Sequence, residues 1–305
     1  MRLCETDSSL LLHAPAKLNL YLDVVGRRSD GYHELDTVMV SVGLYDTLEF
    51  RPLPSEAVEL TGEVAGLGVG PCGGTLPPLS WGAENLVVKA ARLMQQETGC
   101  RQGAAIRLVK RIPMQAGMGG GSSDAAASLV GLNRLWGLGL PGTELHRLAA
   151  RLGSDVNLFL DSVPAALCRG RGEQIEPYSI PRPLDLLVVK PPGGLSTADV
   201  FRAWKTAGEG SPGSGHDMMK ALTSGRLDQV ASRLWNSLER PARQLSPDVA
   251  RTVEFLRSTC GSSVLMTGSG TACFAVCRNR SQALAWGSRA RQARLGQVFV
   301  LRTAT

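Results

Sequence analysis

A glycine-rich segment at residues 113–124 constrains this chain more than any other feature. Its sequence is Pro-Met-Gln-Ala-Gly-Met-Gly-Gly-Gly-Ser-Ser-Asp, with four glycines in five positions. Glycine adopts backbone conformations that other residues avoid, and it lets amide N–H groups approach a ligand closely. Ser122, Ser123 and Asp124 are residue types that cap helices, and an alanine-rich stretch begins at Ala125. Because helix N-termini favour anions, the segment predicts a phosphate-binding loop at the start of a helix.

The residues on either side of this segment predict a strand, the loop and a helix, in that order. Ala105 to Val109 has the apolar character of a strand. After the loop, Leu129, Leu132 and Leu135 recur at helical spacing and predict a buried helix face. The segment lacks the lysine of a P-loop and the glycine spacing of a dinucleotide site. On these residues alone, a glycine-rich turn that caps a helix and binds no ligand stays open.

The composition is that of a globular protein with room for two domains. The chain has 305 residues, of which 43% are hydrophobic and 20% charged. A proline-containing connection predicts a boundary between domains at 1–178 and 179–305. No apolar run is long enough to span a membrane, and Leu10 to Leu12 is too short for a signal-peptide core, so we expect a cytoplasmic protein without a membrane partner. The net charge of +6 comes from dispersed residues, which argues against a nucleic-acid partner.

The cysteines argue against a disulfide framework or a zinc site. There are seven of them, an odd number, and they are scattered along the chain. Cys273 and Cys277 flank Phe274-Ala275-Val276, which has the pattern of a strand. We therefore expect these two cysteines to be small buried side chains.

Periodic patterns predict further elements along the chain. Alternating apolar residues predict a strand over residues 17–24 and further strand over 35–50. Residues 52–78 are rich in glycine and proline and predict a surface excursion, while residues 208–215 predict a mobile linker. Thr143 is expected to cap its helix. The predicted helices cover residues 85–94, 143–152, 217–222, 227–234 and 247–257, and the last strand covers 298–301. Residues 200–205 form a further segment before the linker.

Three separated motifs resemble those of the GHMP kinases, a family that phosphorylates small molecules such as homoserine and mevalonate. One is the glycine-rich segment; the others are Ala-Pro-Ala-Lys-Leu-Asn at residues 14–19 and Met-Thr-Gly-Ser-Gly at residues 266–270. The resemblance implies an α+β, two-domain GHMP kinase fold, with an N-terminal ATP-binding domain and a C-terminal ferredoxin-like substrate domain. It also implies a kinase that uses ATP and Mg²⁺ and transfers phosphate to an alcohol group.

A narrower resemblance rests on residues 26–33, 151–156, 170–173 and 236–239. These segments are similar to those of the branch of the family that phosphorylates cytidine diphosphate-linked methylerythritol on its 2-hydroxyl, in the non-mevalonate isoprenoid pathway. The partner implied is this small-molecule substrate, and we expect a monomer or homodimer. The sequence departs from the usual pattern at Asn157, where the branch has proline, which raises a question about the geometry of the following loop.

The resemblance implies a catalytic pair. Asp155 would accept the proton of the substrate hydroxyl, and Lys17 would lie beside it and stabilise the charge of the transferred phosphoryl group. Without the resemblance, Asp155 could equally be a helix N-cap and Lys17 a surface lysine.

The resemblance also implies two binding regions. For the substrate, Tyr32 would stack on cytosine, His33 would contact its polar edge and Phe201 would form the opposite stacking face. The alternatives are an aromatic at the edge of the core for Tyr32, a solvent-exposed histidine for His33 and a core phenylalanine for Phe201.

For ATP, Asn85 would contact the nucleotide, although it is also a good helix N-cap, and Ser122 or Ser123 is available to Mg²⁺. The ATP-binding loop would comprise Pro113, Met114, Gln115, Ala116, Gly117, Met118, Gly119, Gly120, Gly121, Ser122 and Ser123. Further substrate contacts would come from Asn19, Gly268, Ser269 and Gly270, with Asp36 as a weaker candidate.

Two other functions stay open from the sequence. One is another small-molecule kinase of the same family, of the homoserine or mevalonate type, whose substrate has no base. The other is a non-catalytic nucleotide-binding protein of the same fold.

Overall fold

The computed structural model describes residues 1–5, 9–29, 31–65, 79–204 and 211–304. Some positions named in the sequence analysis lie outside these ranges. They are Asp30, Cys72, residue 205, residues 66–78 of the predicted excursion and residues 208–210 of the predicted linker. None of the described helices is long and apolar enough to cross a membrane. Strands β1 to β12 cover Arg2–Glu5, Leu10–Arg27, His33–Leu53, Val58–Val64, Gly103–Lys110, Ala165–Gly170, Gln174–Tyr178, Asp185–Lys190, Trp235–Asn236, Val264–Met266, Cys273–Cys277 and Gln297–Arg302. Helices α1 to α10 cover Leu86–Thr98, Gly120–Leu135, Gly142–Leu152, Val156–Leu160, Thr197–Ala203, Gly215–Ser224, Leu227–Ser232, Glu239–Leu245, Pro247–Cys260 and Arg280–Gln292.

The first sheet is organised around two long antiparallel strands, β2 and β3. They pair along their whole length, from Leu10 opposite Phe50 to Arg27 opposite His33. The two halves of β3 have different second neighbours: β6 pairs with its first half and β5 with its second half. Strand β4 then pairs in parallel with β5, and β7 pairs with β6. The alternation that predicted β2 and β3 is therefore confirmed, and both strands extend beyond the predicted range.

The first half of β2 and the second half pack against different partners. Leu10, Leu12 and Ala14 belong to a core that also contains the buried faces of α1, α2 and α3. Leu18 and Leu20 belong to another core, shared with β8, β11 and α6. Lys17 follows directly after this change of partners, between Ala16 and Leu18, which both belong to the second of these cores.

The second sheet has the strand order β10-β11-β8-β12, and every neighbouring pair is antiparallel. In chain order its strands and helices form the β-α-β-β-α-β arrangement of ferredoxin-like domains. Helices α9 and α10 pack against this sheet. Cys273 and Cys277 are buried in β11, as predicted.

The two sheets are joined by more than the connecting chain. The strands change from the first sheet to the second between Tyr178 and Asp185. Strand β9, from the second half of the chain, returns to pair in parallel with β2 through Trp235 opposite Tyr21. The division into domains at 1–178 and 179–305 stays a prediction, because β9 and the shared core connect the two halves.

Several predicted helices begin earlier than the sequence indicated. Helix α2 begins at Gly120 rather than at Ala125, and its N-cap is Gly119, without a side-chain cap. Ser122, Ser123 and Asp124 therefore lie in the first turn of the helix and do not cap it. Helix α3 begins at Gly142 with Pro141 at the N-cap position, so the predicted cap by Thr143 is wrong.

Six short elements were not predicted from the sequence: β1, β6, β7, α4, α8 and β9. Each has seven residues or fewer, and this is too short for helical or alternating periodicity to stand out. Helix α4 matters most, because it begins directly after Asp155.

The packing of α2 on the first sheet depends on Gly131. A Cβ atom at this position would lie 2.7 Å from Cε2 of Phe50, whose side chain is fully buried. We expect Gly131→Ala to lower the free energy of unfolding by about 1–3 kcal/mol, although alanine is the better helix former. Gly142→Ala in α3 is the matched control, because nothing lies within 4 Å of its Cβ position. Urea denaturation measures both; equal stability of the two variants would contradict this packing.

Candidate active site

The glycine-rich segment forms a tight loop between β5 and α2. Gly117 and Gly119 both have φ of +71°, a conformation that side-chain-bearing residues rarely adopt. A Cβ atom at Gly117 would lie 2.2 Å from the carbonyl oxygen of Thr267. The backbone of the loop therefore approaches the C-terminal glycine motif as closely as glycine allows. Because α2 begins at Gly120, its first-turn amides face the end of this loop and lack partners within the helix.

Three buried charges connect the two ends of the loop; we call Asp46, Lys110 and Asp124 the charge triad. Nζ of Lys110, at the end of β5, donates to Oδ2 of Asp124 in α2 at 2.6 Å and also to Oδ2 of Asp46 in β3. Oδ1 of Asp46 accepts hydrogen bonds from the backbone amides of Arg111 and Ile112. All three side chains are at most 4% exposed. The triad therefore fixes the strand before the loop to the helix after it.

Burial governs the protonation of this triad. It raises the pKa of Asp124 to about 8, against the opposing influence of Lys110. Burial alone would lower the pKa of Lys110, but the two carboxylates outweigh it and raise that pKa, so the ammonium stays charged. Oδ1 of Asp124 is buried and has no hydrogen-bond partner among the described residues.

The predicted catalytic pair is brought together in the structure. Nζ of Lys17, which is 3% exposed, lies 3.4 Å from Oδ2 of Asp155 and donates to Oδ1 of Asn19 at 2.6 Å. Asp155 occupies the N-cap position of α4, but its side chain makes no capping hydrogen bond. Its carboxylate instead faces Lys17 and is partly exposed to the cavity. Neither the surface-lysine alternative nor a capping role for the Asp155 side chain describes what is seen.

Asn19 links this pair to both glycine motifs. Its Nδ2 donates to Oγ1 of Thr37 at 2.9 Å, and its backbone amide donates to Oγ1 of Thr267 at 2.9 Å. Thr267 in turn donates to the carbonyl oxygen of Gly117 at 3.3 Å. The backbone amide of Lys17 donates to the carbonyl of Met118 at 3.0 Å. These bonds hold the lysine, the phosphate loop and the C-terminal glycine motif in one arrangement.

The C-terminal glycine motif has its own support from the segment at 236–239. Nδ2 of Asn236 donates to the carbonyl oxygens of Met266 and Gly268 at 2.7 and 2.8 Å. Oε2 of Glu239 accepts from the amide of Met266 at 3.0 Å. Residues 236–239, one of the segments on which the narrower resemblance rests, therefore hold the C-terminal glycine motif in place.

The predicted base-binding residues form an aromatic cluster on one side of the cavity. His33 stacks on Phe201, with 4.8 Å between ring centroids, and meets Trp204 edge-on at 5.6 Å. Tyr32 is 54% exposed, and the guanidinium carbon of Arg171 lies 4.8 Å from its ring centroid. Phe201 thus contacts His33, and its role as the opposite stacking face for the base stays a prediction. Burial, together with the charge of Arg27, lowers the pKa of His33 and favours a neutral imidazole.

One cavity of about 1700 Å³ contains most of the predicted site. Two predicted residues do not line it: Ser123 is fully buried, and Gly268 packs against the phosphate loop. Asp36 also lies outside it and accepts from the amide of Gly215 at 2.7 Å. Asn85 lines the cavity while its side chain caps α1, accepting from the amide of Val87 at 3.0 Å. The predicted residues that line it are Lys17, Asn19, Tyr32, His33, Asn85, Pro113, Met114, Gln115, Ala116, Gly117, Met118, Gly119, Gly120, Gly121, Ser122, Asp155, Phe201, Ser269 and Gly270.

Other cavity residues were not predicted as site residues, among them Lys110, Arg171 and Trp204. Lys110 directly precedes the loop segment 111–119, so a search for charged residues beside the glycines could have found it. Arg171 lies in the segment 170–173 that contributed to the resemblance, but its place in the cavity, like that of Trp204, depends on how distant segments fold together.

Asn157 does not disturb the arrangement. It lies in the first turn of α4, where proline is also tolerated, so either residue is compatible with the helix that follows Asp155. Its side chain is buried and its Oδ1 lies 3.3 Å from Nδ1 of His146, which also contacts Asp161 at 2.8 Å. Asn157 thus makes a polar contact at a position where the resembled kinases have proline.

Comparison with known proteins agrees with this site. Residues 85–170 match the family described as GHMP kinases N terminal domain, and residues 218–292 match GHMP kinases C terminal. The chain therefore belongs to the GHMP kinases and is an ATP-using phosphotransferase with the α+β fold of that family.

Individual relatives narrow this assignment. The 4-diphosphocytidyl-2-C-methyl-D-erythritol kinase of Pelotomaculum thermopropionicum is 42% identical over 290 residues, which cover 95% of this chain and 96% of the relative. That of Paramagnetospirillum magneticum is 40% identical, covering 95% and 94%. A crystal structure of 4-(cytidine 5'-diphospho)-2C-methyl-D-erythritol kinase is 34% identical with a TM-score of 0.77, covering 97% of this chain and 100% of that one. Within the GHMP kinases, the chain belongs to the family of these kinases.

The charge triad makes stability depend on pH in a defined direction. The folded-state pKa of Asp124 lies above its ordinary value of 3.8, so the folded state holds a proton that the unfolded chain releases, and stability falls as pH rises through that interval. Between about pH 5 and about pH 8, we expect the free energy of unfolding of the native protein to fall as pH rises, compared with that of the Asp124→Asn variant. The slope of this difference is at most about 1.4 kcal/mol per pH unit. Urea denaturation across this range measures the difference. If the difference in free energy of unfolding between the two proteins does not change with pH, the raised pKa of Asp124 is wrong.

Proposed function

We propose that this chain transfers the γ-phosphoryl group of ATP to the 2-hydroxyl of 4-diphosphocytidyl-2-C-methyl-D-erythritol, in the non-mevalonate route to isoprenoid precursors. The names of its relatives support the substrate. The observation that carries the reaction is the contact between Lys17 and Asp155, at 3.4 Å, in the same cavity as the phosphate loop and the aromatic cluster. A nucleotide and a nucleotide-linked alcohol can thus meet at one lysine–aspartate pair.

The proposed chemistry is a direct transfer. The 2-hydroxyl oxygen forms a bond to the γ-phosphorus, the bond from that phosphorus to the β,γ-bridging oxygen breaks, and ADP leaves with those electrons. Asp155 accepts the hydroxyl proton, and Lys17 stabilises the negative charge on the transferred group. Asn19 holds the Lys17 ammonium by its 2.6 Å hydrogen bond, so the cation is positioned before the substrates bind. Positioning and charge stabilisation supply most of the rate acceleration in such reactions.

The ATP side of the cavity offers amides and oxygens. The first-turn amides of α2 and its helix dipole favour the phosphates. The residues here also fit Mg²⁺: Ser122 presents a hydroxyl to the cavity, and Asp124, which lines the same wall, has an oxygen without a hydrogen-bond partner among the described residues. Ser123 is fully buried and, unlike Ser122 and Asp124, does not line the cavity, so it is not a candidate ligand. When bound, Mg²⁺ would neutralise phosphate charge and orient the γ-phosphoryl group.

The substrate side of the cavity suits a cytosine. Tyr32 offers an exposed aromatic face for stacking. A neutral His33 has one donor and one acceptor nitrogen for the polar edge of the base. Phe201 and Trp204 hold the His33 ring by stacking and edge contact. Homoserine and mevalonate have no base to occupy this cluster, so the cluster favours the cytidine substrate over the other substrates of the family.

The catalytic role of Asp155 is tested by removing its carboxylate. We expect Asp155→Ala to lower kcat by about two to four orders of magnitude, because no other group would accept the hydroxyl proton. Release of ADP in a coupled assay with ATP, Mg²⁺ and the diphosphocytidyl substrate measures the rate. Asp161→Asn is the matched control, since Asp161 lies at the other end of α4 and contacts His146. Near-native kcat in Asp155→Ala would rule out this base.

The same assay separates the proposed function from a non-catalytic one. If the native protein binds ATP but releases no ADP with this substrate or with any small alcohol of the family, the chain is a nucleotide-binding protein and the proposed reaction is wrong.

The identity of the substrate is tested at Tyr32. We expect Tyr32→Ala to raise KM for the diphosphocytidyl substrate about 5- to 100-fold, the loss expected for one stacking contact, while KM for ATP stays unchanged. Cytidine diphosphate should compete with the substrate in the native protein. Turnover of homoserine or mevalonate, with no inhibition by cytidine diphosphate, would instead favour another GHMP kinase activity.

Several expectations from the sequence stay predictions beside this proposal. They are the cytoplasmic location, the monomeric or homodimeric state and the absence of a nucleic-acid partner.

A further inference from the structure

Arg171 lies in a short turn whose shape is fixed by its neighbours. The turn connects β6 to β7, and the glycines on both sides of Arg171 have positive φ, +71° at Gly170 and +113° at Gly172. The backbone amide of Arg171 donates to Oε2 of Glu173 at 2.6 Å, and the amide of Gly170 donates to Oε1 of Glu34 at 3.1 Å. The backbone of this residue is therefore held in place next to the strand that follows Tyr32.

The turn lies between the catalytic carboxylate and the aromatic cluster. A Cβ atom at Gly172 would be 3.8 Å from Oδ1 of Asp155, so the turn is in contact with the catalytic pair. The guanidinium of Arg171, at the other end of its side chain, lies over the Tyr32 ring at 4.8 Å. One arginine thus extends from the catalytic end of the cavity to the base-binding end.

Arg171 is one of several cations that line the cavity. Of the other cations that line the cavity, Lys17 faces Asp155, Lys110 belongs to the charge triad and Arg202 pairs with Asp199 at 2.6 Å. Arg27, the remaining one, lies near His33 and helps to lower its pKa. Arg171 has no carboxylate at ion-pair distance within the part of the chain that the structure describes. A guanidinium is a preferred partner for phosphate oxygens, because it presents several N–H donors in a planar fork.

We propose that Arg171 binds the diphosphate group that joins cytidine to methylerythritol and so positions the substrate hydroxyl at Asp155. This inference rests on the proposed function. The substrate has a base at one end, the reacting alcohol at the other and the diphosphate between them. With the base at Tyr32 and the alcohol at Asp155, the diphosphate comes to lie along Arg171. The arginine also supports the Tyr32 ring from the face opposite the base.

The test compares Arg171→Met and Arg171→Lys with the native protein, and uses Arg169→Met as the matched control. Arg169 lies two residues earlier and faces Asp36 at 3.9 Å, outside the cavity. We expect Arg171→Met to raise KM for the diphosphocytidyl substrate about 10- to 100-fold, the loss of one or two charge-assisted hydrogen bonds. Arg171→Lys should give a smaller rise, and KM for ATP should stay within about twofold in every variant.

Inhibition constants separate diphosphate binding from support of Tyr32. In the native protein, cytidine diphosphate should inhibit more strongly than cytidine. Arg171→Met should remove most of this difference while changing inhibition by cytidine little. An equal loss for both inhibitors would mean that Arg171 only supports the Tyr32 ring, and an unchanged KM for the substrate would also overturn the proposal.

Failure of this inference is distinguishable from failure of the proposed function. If the native protein phosphorylates the diphosphocytidyl substrate and Arg171→Met does so with native KM, only the role of Arg171 is wrong. If the native protein does not use this substrate at all, the proposed function itself is wrong. Thermal unfolding of each variant shows whether the fold is intact, and the unchanged KM for ATP provides a second check.

Discussion

The buried hydrogen bonds of Lys110 to Asp46 and Asp124 are the interaction on which the shape of the glycine-rich loop depends. A glycine-rich loop has high conformational entropy, so its shape must be imposed from outside. The charge triad does this by joining β3, the end of β5 and the first turn of α2 on the two sides of the loop. Breaking such a buried group leaves uncompensated charge, which typically costs about 3–5 kcal/mol.

The site as a whole is assembled across the two sheets, although the proposed catalytic pair itself comes from the first half of the chain. Lys17 comes from the first sheet and Asp155 from the start of α4, while Thr267 of the C-terminal motif bonds to both Asn19 and Gly117. Strand β9 and the shared hydrophobic core hold the sheets in register. The relative position of nucleotide and alcohol therefore follows from the packing of the two halves, and neither half contains the whole site.

Local patterns predicted those parts of the molecule that depend on local sequence. The period of β2, the glycine loop followed by α2, and the burial of Cys273 and Cys277 all follow from residue types a few positions apart. The motifs near Lys17 and Asp155 indicated the catalytic pair through family resemblance. The triad could not be predicted, because Asp46 and Lys110 are 64 residues apart and meet only through the pairing of β3 with β5. The contacts of Arg171 with Tyr32 and of Trp204 with His33 have the same origin. The start of α2 was misplaced because glycine is a poor helix former, whereas here the sheet and the triad hold Gly120 in a helical turn.

The central claim is that one cavity brings the γ-phosphoryl group of ATP and the 2-hydroxyl of the substrate together at Lys17 and Asp155. A crystal structure of the complex with a non-hydrolysable ATP analogue, Mg²⁺ and the diphosphocytidyl substrate tests it most directly. We expect the analogue's phosphates on the glycine loop, the 2-hydroxyl about 3 Å from an Asp155 oxygen, and that hydroxyl in line with the γ-phosphorus. A 2-hydroxyl that lies away from Asp155, or a nucleotide bound outside the glycine loop, would contradict the account.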